Sequence, residues 1–231
     1  MMAALRRIVF AAVLAGLVGG LVVTLLRAVA QWPLIAQAEV FEKAGEAAAP
    51  PAVHDHAAYQ HAVAWEPVEG IKRISYTVLA NVVAATAFAL LLVAGFALHG
   101  SVTPWSGALW GLAGYLAFAL APALGLPPEL PGAEAADLVA RQTWWLATAA
   151  GTAGGLALLA FARPLWLRLS GLLPILLPHL IGAPVGAGGG PVPEALTRQF
   201  IAASLIVGLV FWLTLGVTGA IAFWRLRPAA A

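Results

Sequence analysis

The hydrophobic positions of this chain fall into long runs separated by short polar connections. Five runs have the length needed to cross the hydrocarbon core of a bilayer as a helix, about 20 residues, and they cover residues 8–30, 74–98, 105–124, 142–161 and 200–224. A sixth run, 165–181, is shorter and holds two prolines, so it is either a kinked span or a re-entrant segment packed within protein. The pattern predicts an all-α fold: a polytopic membrane helix bundle with five or six transmembrane helices, and a single membrane domain over residues 1–231.

The first run allows two interpretations. It follows Arg6 and Arg7 and ends at Ala28-Val29-Ala30, which resembles the basic start and small-residue cleavage site of a signal peptide. Its apolar stretch, residues 8–26, is longer than the roughly 7–15 residues of a signal peptide. We therefore favour a retained membrane helix over a cleaved leader.

Small residues recur at helical spacing in three of the predicted spans. The glycines of each pair lie four positions apart, and the pairs are Gly16 and Gly20, Gly107 and Gly111, and Gly151 and Gly155. Such pairs let the backbones of two membrane helices approach closely. We expect each of these three helices to have a close-packed neighbour on its glycine face.

Composition excludes several classes of function. Of 231 residues, 62% are hydrophobic and 10% are charged, whereas soluble domains carry about 25% charged residues, so lipid is the predicted environment. Cysteine is absent, which removes disulfides and thiolate sites. The only lysines, Lys43 and Lys72, do not lie in a P-loop, and no hydrolase motif is present, so we expect neither an ATPase nor another enzyme. The basic residues are scattered, which argues against a nucleic-acid partner.

Charged residues predict how the chain sits in its membrane. If all six runs cross, both termini share one face, and the twelve basic residues divide evenly between the faces, so the positive-inside rule decides little. All ten acids then fall on the face opposite the termini. We expect a multi-pass protein of the cell inner (cytoplasmic) membrane with both termini in the cytoplasm. If residues 165–181 do not cross, the carboxyl end lies outside.

The first connection, residues 31–71, is a polar loop rich in acids and histidines on the acidic face. Pro50 and Pro51 interrupt any helix there, and residues 36–49, which are rich in helix formers, should continue the first helix outward. Imidazole nitrogens and carboxylate oxygens suit divalent ions such as cobalt, nickel and zinc, and the candidate ligands are His54, Asp55, His56 and His61. Glu66 or Glu69 could complete the shell. The alternative is an ordinary solvated loop.

Candidates for a polar path lie elsewhere in the chain. His179 lies between two prolines in an apolar stretch, where freed carbonyls and an imidazole could present ligands at membrane depth, or it could be an interfacial histidine. The acids of the third connection, which are Glu129, Glu134 and Asp137, could gather cations or form a solvated cap. Polar residues within spans could line a path or simply join helices by hydrogen bonds: Asn81, Thr86, Gln142 and Thr148.

The chain resembles the CbtA family of probable cobalt transporter subunits over nearly its whole length. The resemblance rests on the Arg6-Arg7 start, the acidic histidine-containing first loop, the string LWGLAGYLAFALAPALGLPPELPGAEAADLVARQTWWL and the motif PHLIGAP. It implies five spans, Co²⁺ as the transported ion, no permanently bound cofactor, and a small single-span CbtB-like partner with histidines. It supplies no ligand residues. The predicted function is therefore a membrane subunit for divalent metal uptake, with a non-transporting scaffold or regulatory subunit, or a nickel carrier, as alternatives.

Overall fold

The computed structural model describes residues 2–48, 70–100, 102–133, 135–186 and 190–227, and that part of the chain is helical without strands. The helices are α1 (Met2–Ala30), α2 (Trp32–Ala48), α3 (Ile71–His99), α4 (Pro104–Tyr115), α5 (Ala121–Gly125), α6 (Leu138–Phe161), α7 (Leu165–Ser170), α8 (Leu172–Ile181) and α9 (Glu194–Arg225). A π-helical turn, Leu116–Leu120, joins α4 to α5. The all-α prediction is confirmed.

Five helices of the described chain are long and apolar enough to cross a membrane. They are Met2–Ala30, Ile71–His99, Pro104–Gly125, Leu138–Phe161 and Glu194–Arg225. Pro104–Gly125 comprises α4, the π turn and α5, and it begins with a capping box in which Thr103 and Ser106 exchange hydrogen bonds, with Pro104 at the first position. These five helices confirm a polytopic membrane bundle.

Helices α1, α3, α4 and α9 pack together as a four-helix group. In this group α1 runs antiparallel to α3 and to α9, and α4 runs antiparallel to α9. Gly16 and Gly20 of α1 lie against Thr86 and Val82 of α3, which fixes the antiparallel register of that pair. Gly107 of α4 similarly lies against the backbone of α9. The core between them is fully buried and built largely from small side chains of α1 and α3 together with Phe96 and Leu215. α1 therefore supplies a large part of this core, while its retention after synthesis stays a prediction.

Residues 165–181 form two short helices, α7 and α8, that return along α6. Contacts run in reverse order along α6: Arg168 Nε donates to the carbonyl of Leu159, Gly171 lies against Gly155, and Trp144 Nε1 donates to the carbonyl of Pro178. The stretch of α6 from Trp144 to Leu159 is about 22 Å long at 1.5 Å per residue. Although neither short helix qualifies as a long span, together they bring the chain back to the end where α6 begins.

The two ends of the described chain lie at the same end of the bundle. Arg7, near the start of α1, donates hydrogen bonds to the carbonyl of Phe223, near the end of α9. At the opposite end, Gln31 Nε2 donates to Ser204 Oγ at 3.0 Å. We call the first the terminal end and the second the acid-bearing end, since Asp137 and Glu194 begin α6 and α9 there.

Helix α2 covers part of the acid-bearing end, so the first half of the predicted polar loop 31–71 is helical, as its helix formers indicate. Ala38 of α2 is fully buried against Leu130, Leu196 and Phe200. A break at Gln31 separates α2 from α1, because Pro33 at the start of α2 has no backbone N–H to continue the ladder of α1.

Candidate functional site

A cavity of about 680 Å³ opens between the four-helix group and the hairpin of α6, α7 and α8. Its walls come from the π turn, α5, the connection after α5, the first two turns of α6, and α9. The polar side chains on these walls are Glu129, Arg141, Gln142 and Ser204. We call this the acid-end cavity, because Glu129 and Arg141 adjoin the loop that carries the acids before α6.

Glu129 and Arg141 form an ion pair at the wall of the acid-end cavity. Arg141 Nη2 donates to Glu129 Oε2 at 2.8 Å, and each side chain is about a third exposed (31% and 34%). Arg141 lies on α6, whose first turn is fixed by Asp137 accepting a hydrogen bond from the backbone N–H of Ala140 at 2.9 Å. A partly exposed pair adds little stability. Its effect on the cavity is electrostatic, since Arg141 offsets Glu129, which is the one carboxylate among the described residues of the wall.

The backbone beside the cavity departs from regular α-helix. Pro122 has no N–H to donate to the carbonyl of Phe118 four residues earlier, and both residues line the cavity. The chain takes a π turn here, in which the backbone N–H of Ala121 donates to Leu116. Single π turns within helices occur frequently at functional sites.

Further along α6, away from the acid-bearing end, two threonines lie on the helix face that borders the cavity. At helical spacing, Thr148 and Thr152 fall on the same face as Arg141 and Trp145. Thr148 is fully buried and donates to the carbonyl of Trp144 at 2.8 Å. The hydroxyl of Thr152, which is 3% exposed, has no hydrogen-bond partner in the part of the chain that the structure describes. It lies about 16 Å along α6 from Arg141.

On the other side, hydrogen bonds join α1, α3 and α9. Ser204 of the cavity wall accepts from Gln31, while Arg27 Nη1 donates to Asn81 Oδ1 at 2.8 Å. Asn81 Nδ2 in turn donates to Thr24 Oγ1 at 2.9 Å. Asn81 therefore joins helices, which is the second of the two roles that its position in a span allows. Thr86 donates within its own helix to Val82 and packs against Gly16.

His179 lies beside α6 near the acid-bearing end. Its ring is half-buried and meets the edge of the Trp144 ring with 5.7 Å between centroids. Because Trp144 is three residues after Arg141, His179 lies about one helical turn from the polar wall rather than at the middle of the hairpin. A second cavity of about 660 Å³ adjoins Trp144 and Pro178 and is mostly apolar. The carbonyl of Pro178 accepts from Trp144 Nε1 and from the backbone N–H of Gly182, while the role of His179 as a metal ligand stays a prediction.

The histidine loop lies outside the described residues. His54, Asp55, His56 and His61, with Glu66 and Glu69, fall within residues 49–69, and Glu134 is likewise not described. Among the residues that the structure does describe, no three His, Asp or Glu side chains are grouped so that they could hold a metal ion. The metal site predicted at the loop therefore stays a prediction.

Comparison with known families decides the classification of the chain. The family model described as a probable cobalt transporter subunit (CbtA) matches residues 5–224. The chain belongs to the CbtA family. No curated protein and no solved structure matches it. Family membership, together with five apolar helices, supports a multi-pass membrane protein with a part in transport.

Several polar residues of this CbtA-family chain were not predicted as part of a site. Arg141 and Ser204 line the cavity, and Thr152 lies further along the same face of α6. The sequence does carry a signal for Arg141. Asp137 is a typical helix-capping residue, and Arg141 follows it by four positions, so Arg141 is expected in the first turn of a helix next to the acidic loop. Ser204 and Thr152 carry no such signal, because isolated hydroxyls within apolar runs are common and usually bond within their own helix.

Proposed function

We propose that this chain is the membrane-embedded subunit of a cobalt uptake transporter, and that Co²⁺ enters it at the acid-end cavity. The observation that carries the proposal is the match to the CbtA family over residues 5–224. The cavity supports the entry point, because a carboxylate, an amide and a hydroxyl line its walls beside the guanidinium of Arg141, between two groups of helices. The chain would act by conducting or carrying the ion, without catalysis.

The proposed direction is inward across the cell inner membrane, with both termini in the cytoplasm and the acid-bearing end outside. Acidic side chains at the entry side raise the local cation concentration. An inside-negative potential favours entry by about 2.3 kcal/mol per charge per 100 mV, so a divalent ion gains about twice that. No nucleotide-hydrolysing motif is present in the sequence, which makes a gradient or the membrane potential the driving force of the proposal.

Ion capture is assigned in the proposal to the first loop. His54, His56 and His61, with Asp55, would bind the ion outside, and Glu129 would receive it at the cavity wall. His179, one helical turn inward on the hairpin, is the nearest described imidazole to that end. A small single-span CbtB-like subunit with histidines would supply further ligands, which fits the lack of a complete ligand group among the described side chains.

Two other functions make different predictions. A nickel carrier would use the same oxygen and nitrogen ligands, which do not separate neighbouring divalent ions. A scaffold or regulatory subunit would need no ion path, and the offset of Glu129 by Arg141 is the observation that favours it.

The test is uptake of radioactive cobalt by cells that lack other cobalt importers. The chain is expressed alone and with its small partner, and membrane insertion is measured for each variant. We expect uptake that falls in His54→Ala/His56→Ala and is retained in His99→Ala, an exposed histidine at the terminal end of α3. If excess nickel abolishes the uptake of radioactive cobalt, the nickel carrier becomes the better account. No uptake in either setting, with protein inserted, would leave the scaffold as the better account.

A further inference from the structure

The terminal end of the bundle is a basic surface without acids among the residues that the structure describes. Arginines from both chain ends meet there: Arg6 and Arg7 at the start of α1, and Arg225 and Arg227 at the end of α9. The described acidic side chains, which include Glu129, Asp137 and Glu194, lie at the opposite end. Like charges are therefore held together at this end, and no carboxylate side chain among the described residues compensates them.

Arg7 is held in place by contacts with α9. Its Nε and Nη2 both donate to the carbonyl of Phe223, and its guanidinium lies 3.5 Å from the centroid of the Phe223 ring. Nη1 makes no hydrogen bond to any residue of the described chain. Arg227 follows Phe223 by four residues at the end of α9, so a second guanidinium group lies at the same end of the bundle as Arg7. An anion placed between them would remove the repulsion and receive charge-assisted hydrogen bonds.

The position of Arg7 along α1 identifies the kind of anion. Arg7 and Arg27 are 20 residues apart, which is about 30 Å in a helix and equals the thickness of the hydrocarbon core. The side chains just beyond Arg7 are exposed and apolar, including Val9, Phe10 and Val13. On α9, Trp224 is 53% exposed, and tryptophan is enriched at the headgroup level. Arg7 therefore lies where phospholipid headgroups lie.

We propose that Arg7 and Arg227, flanked by Arg6 and Trp224, form a binding site for the headgroup of an anionic phospholipid. The phosphate lies between the two guanidinium groups, and the acyl chains run along the exposed apolar side chains of α1. Lysine and arginine near a membrane surface bind anionic lipid through their charge. The site joins the first and last helices of the chain, so bound lipid would strengthen that contact. This inference does not depend on the transported ion.

The test is native mass spectrometry of the full chain in detergent with phosphatidylglycerol or phosphatidylcholine added. We expect preferential retention of phosphatidylglycerol, with a loss of about fivefold for each arginine removed in Arg6→Gln/Arg227→Gln. Both side chains are exposed, and a melting curve checks that the variant folds. The matched control is Lys72→Gln/Arg73→Gln, which removes two exposed charges at the start of α3.

Three results would overturn the proposal. The first is equal retention of the two lipids by the unmodified chain. The second is the same loss in the α3 control, which would indicate attraction by net charge alone. The third is displacement of phosphatidylglycerol by inorganic phosphate at equal concentration, which would mean that the arginines bind a free anion rather than a lipid.

Discussion

Gly151 of α6 lies directly against the backbone carbonyl of Pro174 in α8, since a Cβ atom placed on Gly151 would be 2.3 Å from that oxygen. Pro178, four residues after Pro174, has no N–H to donate to this carbonyl. The close approach of glycine allows a Cα–H contact with the oxygen instead. Gly151 thus lets this carbonyl pack against the backbone of α6, and the close approach holds the returning hairpin against α6.

Gly151→Ala should therefore separate α8 from α6. The added Cβ meets a backbone atom that cannot move away without shifting the helix, so we expect a loss of about 1–3 kcal/mol. The measurement is the thermal unfolding midpoint of the protein in detergent. Gly154→Ala is the matched control on the same helix, because no atom lies within 4 Å of its added Cβ. Equal midpoints for the two variants would contradict the packing argument.

Arg7→Gln should weaken the contact between the first and last helices. The substitution removes two hydrogen bonds to Phe223 and the stacking on its ring, and hydrogen bonds from a charged group contribute about 1.5–3 kcal/mol. Thermal unfolding in lipid-free detergent measures the effect without bound lipid. Arg6→Gln, at an exposed neighbouring position, should leave the midpoint unchanged. The idea fails if both variants unfold alike.

The close helix contacts were predictable from the sequence to a large extent. Gly16 and Gly20, like Gly107 and Gly111, do lie against a neighbouring helix, because a small residue one turn from another leaves a groove that only close packing fills. The glycines do not say which helix fills it. Thr86, whose Oγ1 would be 2.2 Å from a Cβ on Gly16, is a partner that only the folded arrangement identifies.

The candidate site was predictable only in part. Glu129 and Gln142 were recognised as possible path residues, because a polar residue next to a span stands out against apolar neighbours. The pairing of Glu129 with Arg141 depends on how the proline-containing connection folds back onto α6, which pattern reasoning does not determine. The depth of His179 likewise depends on the register of α8 against α6, set by contacts such as Gly155 with Gly171.

Asn81→Leu should destabilise the contact between α1 and α3. The buried amide, 8% exposed, accepts from Arg27 and donates to Thr24, so its loss leaves the guanidinium without this acceptor and should cost about 1–3 kcal/mol. The unfolding midpoint in detergent reports the change. Thr77→Ala is the control on α3, because that exposed hydroxyl donates only to its own helix, at Arg73. A midpoint unchanged in both would show that the network contributes nothing.

Glu129→Gln should lower cobalt uptake, because it removes the carboxylate that lines the acid-end cavity. We expect a decrease on the order of tenfold, which corresponds to about 1.4 kcal/mol. Glu194→Gln is the matched control, since Glu194 also pairs with an arginine at the same end but is 81% exposed on α9. Initial rates of radioactive cobalt uptake are compared at equal protein level. Equal rates in the two variants would remove Glu129 from the entry path.

Arg141→Gln changes the charge of the same cavity wall in the opposite direction to Glu129→Gln. Removing the guanidinium leaves Glu129 with its full charge, so we expect uptake at low cobalt concentration to rise. Arg198→Gln, which removes the partner of Glu194 instead, should have no effect. A fall in uptake with Arg141→Gln would mean that the ion pair holds the cavity open rather than offsetting its charge.

Thr152→Val distinguishes a role of Thr152 in the ion path from a role in helix packing alone. In both cases the unfolding midpoint should rise, but cobalt uptake should fall only if the hydroxyl belongs to the path. The Thr152 hydroxyl is buried without a partner in the described chain, and an unsatisfied buried polar group costs about 1–3 kcal/mol, so a valine of similar shape should raise the unfolding midpoint. If the hydroxyl serves as a stepping point for a hydrated ion below the acid-end cavity, uptake should fall in the same variant. Thr152→Ser keeps the hydroxyl and should keep uptake. A more stable Thr152→Val protein with full uptake would remove Thr152 from the ion path.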